Sequence, residues 1–152
     1  MRTGIGFDSH RLVEGRRLVL GGVEVPYERG LAGHSDADVL THAVIDALLG
    51  AAGLGDIGEH FPDTDERWRD ADSLVLLQAV SGMLPAAVTN IDATVVCETP
   101  KLGAMRGAMR GALAGALGVP AEAVNVKFTT GEGMGFAGRG EGIAALAIAT
   151  LT

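Results

Sequence analysis

Cysteine, aromatic residues and long apolar runs are scarce in this sequence. Its 152 residues include one cysteine, Cys97, and aromatic residues make up only 4% of the chain. A single cysteine excludes an internal disulfide and fits a reducing compartment. No apolar run approaches the length of about 18 residues that a transmembrane helix needs, and no apolar signal segment follows Met1. We therefore expect a cytoplasmic protein with no membrane partner.

Basic residues are also few. The chain has 12 Lys and Arg against 19 Asp and Glu, a net charge of −7. Nucleic-acid-binding surfaces are basic, so we expect no nucleic-acid partner. The net charge does not exclude a small anionic substrate, provided that a metal ion, helix N-termini or a few well-placed cations hold it. The length and the hydrophobic content of 47% predict a single globular domain over residues 1–152.

The order of hydrophobic patterns predicts a mixed α/β (α+β) fold. Strands are predicted over 3–10, 88–98, 123–129 and 141–151, with an extra β-hairpin around Gly21-Gly22. Helices are predicted from Ser35 or Asp36 to about 52, from Asp70 or Asp72 to about 84, and after Pro100. Residues 27–33 and 56–69 are predicted loops. We expect a four-stranded mixed sheet with helices on one face.

The last predicted strand is apolar at every position from Ile143 to Ala149. Such a pattern is typical of a strand that is covered on both faces. Three helices can cover one face of a four-stranded sheet, so we expect the second face to pack against other subunits.

The third predicted helix contains two rows with a spacing of four residues. Its apolar row, Met105, Met109, Leu113 and Leu117, is typical of core packing. Its glycine row, Gly103, Gly107, Gly111 and Gly115, fits either a close backbone approach or biased composition. Each mid-helix glycine costs about 1 kcal/mol relative to alanine.

Asp8 and His10 are candidate metal ligands. They are two residues apart on the first strand, so their side chains point to the same side. His42, early in the first helix, is the candidate third ligand. Two histidines and one carboxylate leave a tetrahedral zinc with an open position, as in catalytic sites. The alternative is a surface pair at a strand end, because two-ligand spacings often occur without a metal.

Two acidic residues flank His42 at one helical turn, Asp38 before it and Asp46 after it. Either carboxylate is a candidate for orienting the imidazole. This hypothesis predicts that Asp46→Ala weakens zinc binding.

Seven short motifs occur in order along the chain. They are Gly6-Phe7-Asp8-Ser9-His10, Gly21-Gly22-Val23, His34-Ser35-Asp36-Ala37-Asp38-Val39, Gly55-Asp56-Ile57-Gly58, Phe61-Pro62-Asp63-Thr64-Asp65, Asn125-Val126-Lys127 and Gly135-Phe136-Ala137-Gly138-Arg139-Gly140-Glu141-Gly142-Ile143. With these motifs, the chain from Met1 to Leu151 resembles the 2-C-methyl-D-erythritol 2,4-cyclodiphosphate synthase family of the non-mevalonate isoprenoid pathway.

The resemblance implies a reaction and an assembly. The substrate would be 4-diphosphocytidyl-2-C-methyl-D-erythritol 2-phosphate, whose 2-phosphate attacks the β-phosphorus, closes a cyclodiphosphate ring and expels CMP. Such an enzyme is a phosphorus–oxygen lyase that works by positioning and electrostatics. The resemblance also implies a homotrimer with active sites at subunit interfaces. In some members an axial cavity accepts an isoprenoid diphosphate.

The resemblance implies two metal sites. Asp8, His10 and His42 correspond to zinc ligands, and Glu132 corresponds to the ligand of a second ion, Mg²⁺ or Mn²⁺. Oxygen ligation with positions left for phosphate and water suits magnesium. On the residues alone, an ordinary solvated turn is the preferred interpretation of Glu132.

The resemblance also implies catalytic and substrate-binding residues. His34 and Thr130 correspond to residues that stabilise the transition state. Residues 56–58 and 61–65 correspond to the methylerythritol site, 97–103 and 129–132 to the cytidine pocket, and Phe136 and Arg139 to the trimer axis. The implied substrate-binding residues are Asp8, Ser9, His10, His34, Ser35, Asp56, Ile57, Gly58, Phe61, Pro62, Asp63, Thr64, Asp65, Cys97, Glu98, Thr99, Pro100, Lys101, Leu102, Gly103, Thr129, Thr130, Gly131, Glu132, Phe136 and Arg139.

Several of these residues have simpler interpretations. His34 fits a surface position before a helix, Asp56 a solvated acidic loop, and Lys101 a solvated lysine at a helix start. Arg139 fits either a diphosphate ligand or an ion pair with Glu141 or another subunit's acid.

The chain departs from the family pattern in three places. Ala37 and Gly131 stand where the family often has glycine and threonine, and the third predicted helix is unusually rich in glycine. The last two departures bear on the cytidine pocket. Two other functions stay open: a zinc-dependent phosphohydrolase, and a non-catalytic trimeric module that binds an isoprenoid diphosphate and contains structural zinc.

Overall fold

A computed structural model describes residues 1–152. Its strands are β1 (Arg2–Glu14), β2 (Leu18–Leu20), β3 (Val23–Val25), β4 (Arg29–Leu31), β5 (Val88–Val96), β6 (Val124–Thr129) and β7 (Gly142–Leu151). Its α-helices are α1 (Val39–Ala52), α2 (Ile57–His60), α3 (Ser73–Ser81), α4 (Arg106–Leu117) and α5 (Gly135–Gly138). Single 3₁₀ turns occur at Glu66–Trp68, Gly103–Met105 and Ala121–Ala123. No helix is long and apolar enough to cross a membrane.

Five strands form the main sheet in the order β4-β1-β7-β5-β6, and β2 and β3 form a separate hairpin. Only β5 and β6 run parallel, so the sheet is mixed as expected. The predicted fold class and the extra hairpin are confirmed, but the number of strands is wrong. Strand β4 lies in a predicted loop, and β1 continues to Glu14 to pair with it. Three residues are too few to show the alternation that identifies a strand.

Helix α1 starts later than predicted and the third predicted helix begins only at Arg106, whereas α3 starts after Asp72, one of its two predicted caps. Asp38 caps α1 and Asp72 caps α3, because their carboxylates accept the N–H groups of Thr41 and Leu74. Ser35, Asp36 and Asp70 are therefore not the caps.

Helix α1 lies directly on strand β1. A Cβ added at Gly4 would collide with the carbonyl oxygen of Ala47, and one added at Gly6 would collide with that of Ala43. The absence of side chains at these two positions allows the helix backbone to touch the strand backbone. Because side chains alternate along a strand, Asp8 and His10 also point towards α1.

The opposite face of the sheet is apolar and exposed in the single chain. Ile5 and Phe7 of β1 are 68% and 55% exposed, and Leu146 and Ile148 of β7 are 41% and 45% exposed. Phe7 pairs with Leu146 and Ile5 with Ile148, so the four side chains form one patch, which we call the outer apolar patch. Helix α1 packs against the other face of β7.

The glycine row, with Gly103 in the 3₁₀ turn before α4 and the other three glycines in α4, faces open space. All four glycines are exposed, and a Cβ added at any of them would meet nothing within 4 Å. The hypothesis of a close backbone approach is therefore wrong for the chain as described. The apolar row is confirmed as core, because Met109, Leu113 and Leu117 are buried.

We predict opposite effects on stability for two glycine-to-alanine variants. Gly6→Ala should lower the free energy of unfolding by about 3 kcal/mol, because the new methyl group overpacks the contact with α1. Gly111→Ala should raise it by about 1 kcal/mol, because alanine is the better helix former and meets no neighbour. Urea unfolding at one fixed protein concentration measures both. Equal effects of the two variants would contradict the contact between β1 and α1.

Candidate metal centre and adjoining cavities

Asp8, His10 and His42 come together at the contact between β1 and α1. The Asp8 Oδ2 atom lies 2.9 Å from His10 Nε2 and 3.1 Å from His42 Nδ1. One ligand atom from each residue lies within 4.8 Å of the other two, which is close enough for a single metal ion to bind all three. The three predicted ligands therefore form one candidate metal site, which we call the metal triad.

Hydrogen bonds on the far side of each imidazole orient the two rings. His10 Nδ1 lies 2.7 Å from the carbonyl oxygen of Ala32, which can only accept, so Nδ1 carries a proton. Nε2 therefore faces Asp8, where it donates to the carboxylate when the ring is protonated and offers a lone pair to a metal ion when the ring is neutral. His42 Nε2 lies 2.8 Å from Ser73 Oγ and 3.3 Å from Ser35 Oγ, while its Nδ1 faces Asp8.

The carboxylates expected to orient His42 lie elsewhere. Asp38 accepts hydrogen bonds from the backbone of Gly21, Gly22 and Thr41, and Asp46 accepts the N–H of Ile57. Neither carboxylate bonds to the His42 ring, because both are engaged by backbone N–H groups of other segments. The predicted role of Asp38 or Asp46 as the direct partner of His42 is wrong.

The electrostatics of the metal triad favour a bound cation. Burial would raise the pKa of Asp8, but hydrogen bonds to His10 and His42 outweigh burial and lower the pKa to about 2. Burial would lower the pKa of His10, but its hydrogen bond to Asp8 leaves that pKa raised. The carboxylate thus stays charged and attracts positive charge between itself and the rings. Two imidazole nitrogens and a carboxylate oxygen suit a divalent metal such as zinc.

A cavity of about 400 Å³ opens beside the metal triad. It contains most of the residues expected around the methylerythritol and its phosphate. The residues expected there that line it are Ile57, Gly58, Phe61, Pro62 and Asp63. Asp8, His10, His34 and Ser35 line it as well. Trp68 and Leu76 also line it and were missed, because they lie outside the motifs; the signal for Trp68 was its being the only tryptophan.

Three residues expected in this cavity do not line it. The carboxylate of Asp56 caps α2, and that of Asp65 pairs with Arg67 at 2.7 Å, while Thr64 is exposed. Asp65 still contacts the site, because its carbonyl oxygen lies 2.9 Å from His34 Nε2. Asp56 and Asp65 thus order the wall of the cavity.

A second cavity of about 330 Å³ lies beyond the ends of β5 and β6. It brings together most of the residues expected around cytidine, namely Cys97, Pro100, Lys101, Leu102, Gly103, Thr129 and Thr130. Arg106 and Phe128 also line it and were missed; the Arg106 guanidinium lies 5.0 Å from the centre of the Phe128 ring. Burial raises the pKa of the Cys97 thiol to about 11, with Glu98 adding to the shift, so Cys97 is not a thiolate.

Glu98 orders the glycine-rich loop and does not line the second cavity. Its carboxylate accepts the N–H groups of Gly131 at 3.0 Å and Gly133 at 3.1 Å. Glu132 lies between them with a φ of 53° and an exposed side chain. A Cβ at Gly131 would meet the backbone of Gly138, so glycine at this departure from the family pattern permits a tight loop.

The residues expected at the trimer axis lie on the outer face. Phe136 is 40% exposed and lines a small pocket of about 180 Å³ with Ser9. Arg139 Nη2 lies 3.1 Å from Glu141 Oε2, which is the ion pair that the sequence offered as one alternative.

Known proteins match the chain over its whole length. The profile of the YgbB family matches residues 1–152. A 2-C-methyl-D-erythritol 2,4-cyclodiphosphate synthase from Alkaliphilus metalliredigens (strain QYMF) is 58% identical over 154 residues, which cover 99% of this chain and 97% of that protein.

Two solved structures share the fold. A 2C-methyl-D-erythritol-2,4-cyclodiphosphate synthase in a form with bound CDP matches with a TM-score of 0.91 and 39% identity, covering 99% of this chain and 100% of that one. The bifunctional IspDF of Campylobacter jejuni matches with a TM-score of 0.92 and 44% identity over 97% of this chain. The chain spans 41% of that longer protein.

We predict that Glu98→Gln loosens the glycine-rich loop. The amide has one acceptor oxygen, so one of the two N–H groups of Gly131 and Gly133 loses its partner. Hydrogen bonds to a charged group are worth about 1.5–3 kcal/mol, so amide hydrogen exchange over residues 130–135 should accelerate by about tenfold or more. Glu122→Gln, at an exposed glutamate outside the loop, is the matched control. Unchanged exchange in the loop would contradict this role of Glu98.

Proposed function

The chain belongs to the YgbB family, and from this membership we propose that it is a 2-C-methyl-D-erythritol 2,4-cyclodiphosphate synthase. The observation that supports the reaction best is the open metal triad beside a cavity large enough for a small phosphorylated sugar. The proposed substrate is 4-diphosphocytidyl-2-C-methyl-D-erythritol 2-phosphate. An oxygen of the 2-phosphate forms a bond to the β-phosphorus, the bond from that phosphorus to the bridging oxygen breaks, and CMP leaves with the electron pair. This is a phosphorus–oxygen lyase reaction.

Asp8, His10 and His42 are the proposed zinc ligands, and Glu132 is the proposed ligand of Mg²⁺ or Mn²⁺. When bound, these ions supply Lewis-acid stabilisation of charge on the phosphate oxygens. The protein needs no nucleophile, because the substrate provides one. The task of its side chains is to hold the substrate folded so that the 2-phosphate faces the β-phosphorus.

Two further residues have proposed roles near the reacting phosphates. His34 is held by the carbonyl oxygen of Asp65, so its other ring nitrogen is available to the cavity. Thr130 lies in the second cavity, with its hydroxyl oxygen accepting the N–H of Glu132 at 3.1 Å. We assign both residues to stabilising the charge that develops during transfer.

The second cavity is the proposed cytidine pocket. The related synthase with bound CDP supports this assignment. In this chain the pocket combines an aromatic ring, Phe128, with two cations, Lys101 and Arg106. The Phe128 ring holds the Arg106 guanidinium over its face, and the two cations suit the phosphates.

We assign the active enzyme to a homotrimer with its sites at subunit boundaries. The outer apolar patch needs a cover, because exposed apolar clusters of this kind are typical of interfaces. His34 and Thr130 also line different cavities of one chain, which supports a site shared between chains. The pairing of Arg139 with Glu141 favours a structural role for that arginine over binding of an isoprenoid diphosphate at the axis.

Incubation with the diphosphocytidyl substrate, zinc and magnesium tests the reaction. Wild-type protein should release CMP and form the cyclic diphosphate. Phosphorus NMR detects both products. Asp8→Ala should lower kcat/KM by at least about a hundredfold, because zinc loses a ligand. His60→Ala is the matched control, since this histidine contacts the Leu54 carbonyl and not the metal triad.

Other outcomes identify the alternatives. Hydrolysis without ring closure would indicate a phosphohydrolase. Loss of the folded assembly when zinc is removed would indicate structural zinc, although three protein ligands already argue against the usual four-ligand structural site.

Sedimentation at micromolar concentration tests the assembly. Wild-type protein should sediment as a trimer, and Ile148→Asp should raise the dissociation constant by at least about tenfold, because it buries an unpaired charge in the outer apolar patch. Val75→Asp is the control, because Val75 is 56% exposed on α3, away from that patch. A wild-type monomer would contradict the proposal.

A further inference from the structure

Ser73 and Asp36 continue the hydrogen bonding of His42 away from the metal triad. His42 Nε2 lies 2.8 Å from Ser73 Oγ, and the Ser73 hydroxyl donates to Asp36 Oδ1. The other oxygen of Asp36 accepts the N–H of Ser73 at 2.9 Å. Ser73 is fully buried and His42 is 8% exposed, so water cannot readily substitute for these contacts.

The chemistry of the three groups fixes the direction of each hydrogen bond. A carboxylate only accepts, so the single hydroxyl proton of Ser73 is committed to Asp36. The Ser73 oxygen can then only accept from the imidazole, which requires the proton of His42 to be on Nε2. In the neutral ring, which is the form that binds a metal ion, that tautomer leaves the lone pair of Nδ1 facing Asp8 and the metal position.

The backbone holds this arrangement in place. Asp36 N–H donates to the carbonyl oxygen of Ala71, and Asp36 Oδ1 also accepts the N–H of Asp38 at 3.1 Å. Ser73 is the first residue of α3, and His42 lies in the first turn of α1. The starts of two helices are thus joined behind the metal triad through one carboxylate.

We propose that Asp36 and Ser73 are positioning residues that fix the Nε2–H tautomer and the ring orientation of His42, and so determine the affinity of the metal triad for zinc. The inference rests on the proposed zinc ligands but not on the reaction catalysed. In general, partners behind a metal-bound histidine affect affinity strongly, and here a serine connects the histidine to its carboxylate.

Zinc titration of purified protein against a chelating indicator tests the proposal. Ser73→Ala and Asp36→Asn should each raise the Kd for zinc by about tenfold or more. The double variant should bind zinc no more weakly than the weaker-binding of the two single variants, because the two residues act in series. Ser73→Thr keeps the hydroxyl and should restore the Kd to within about threefold of wild type, well short of the loss expected for Ser73→Ala.

The matched control separates this role from general loosening of α3. Asp72→Ala removes the cap of the same helix without touching His42 and should lower Tm by a few degrees while leaving the zinc Kd within about twofold. The visible spectrum of the Co²⁺-loaded protein should change in Ser73→Ala and Asp36→Asn but not in Asp72→Ala. Asp36→Asn removes no heavy atom, so it carries the test if Ser73→Ala does not fold.

Two results would overturn the proposal: a zinc Kd within about twofold of wild type for both Ser73→Ala and Asp36→Asn, or an equal loss in Asp72→Ala. The outcome is independent of the proposed reaction. If the protein does not form the cyclic diphosphate but the variants still rank as expected, the reaction is wrong and the positioning role stands. If CMP is released but the ranking fails, the positioning role is wrong.

Discussion

Helix α1 touches strand β1 backbone to backbone at Gly4 and Gly6, and the metal triad depends on this contact. Asp8 follows Gly6 on the same face of the strand, and His42 precedes Ala43, whose carbonyl oxygen meets Gly6. Any side chain at Gly6 would push the helix outward and carry His42 away from Asp8. Glycine usually weakens a strand. The role of these two glycines is therefore to allow the contact with α1 that forms the metal triad.

The other end of this arrangement is held by Asp38. Its buried carboxylate accepts hydrogen bonds from Gly21, Gly22 and Thr41, joining the turn of the β2–β3 hairpin to the start of α1. Burial raises the pKa of Asp38, and the hydrogen bonds oppose that shift. His42 lies one turn after this cap, so the cap fixes the position of the His42 imidazole relative to strand β1.

The sequence predicted the parts of the site that follow from regular spacing. Alternation on β1 placed Asp8 and His10 on one side, and the early helical position of His42 made it the third ligand. Helical spacing failed for the partners of His42, because Ser73, on another helix, contacts the ring and Asp36 contacts Ser73. Strand β4 was missed for a similar reason: three residues form a strand only because β1 lies beside them.

The carboxylates around the cavity explain how so acidic a chain can accept a polyanion. Asp36 and Asp46 accept backbone N–H groups, Asp56 caps α2, and Asp65 pairs with Arg67. These carboxylates order the loops that form the wall, and backbone N–H dipoles and the Arg67 cation offset their negative charge. Asp8 differs from these four, since it turns towards the imidazoles of His10 and His42. A metal ion bound there would reverse the sign of the local field, so the acidic composition and the anionic substrate are compatible.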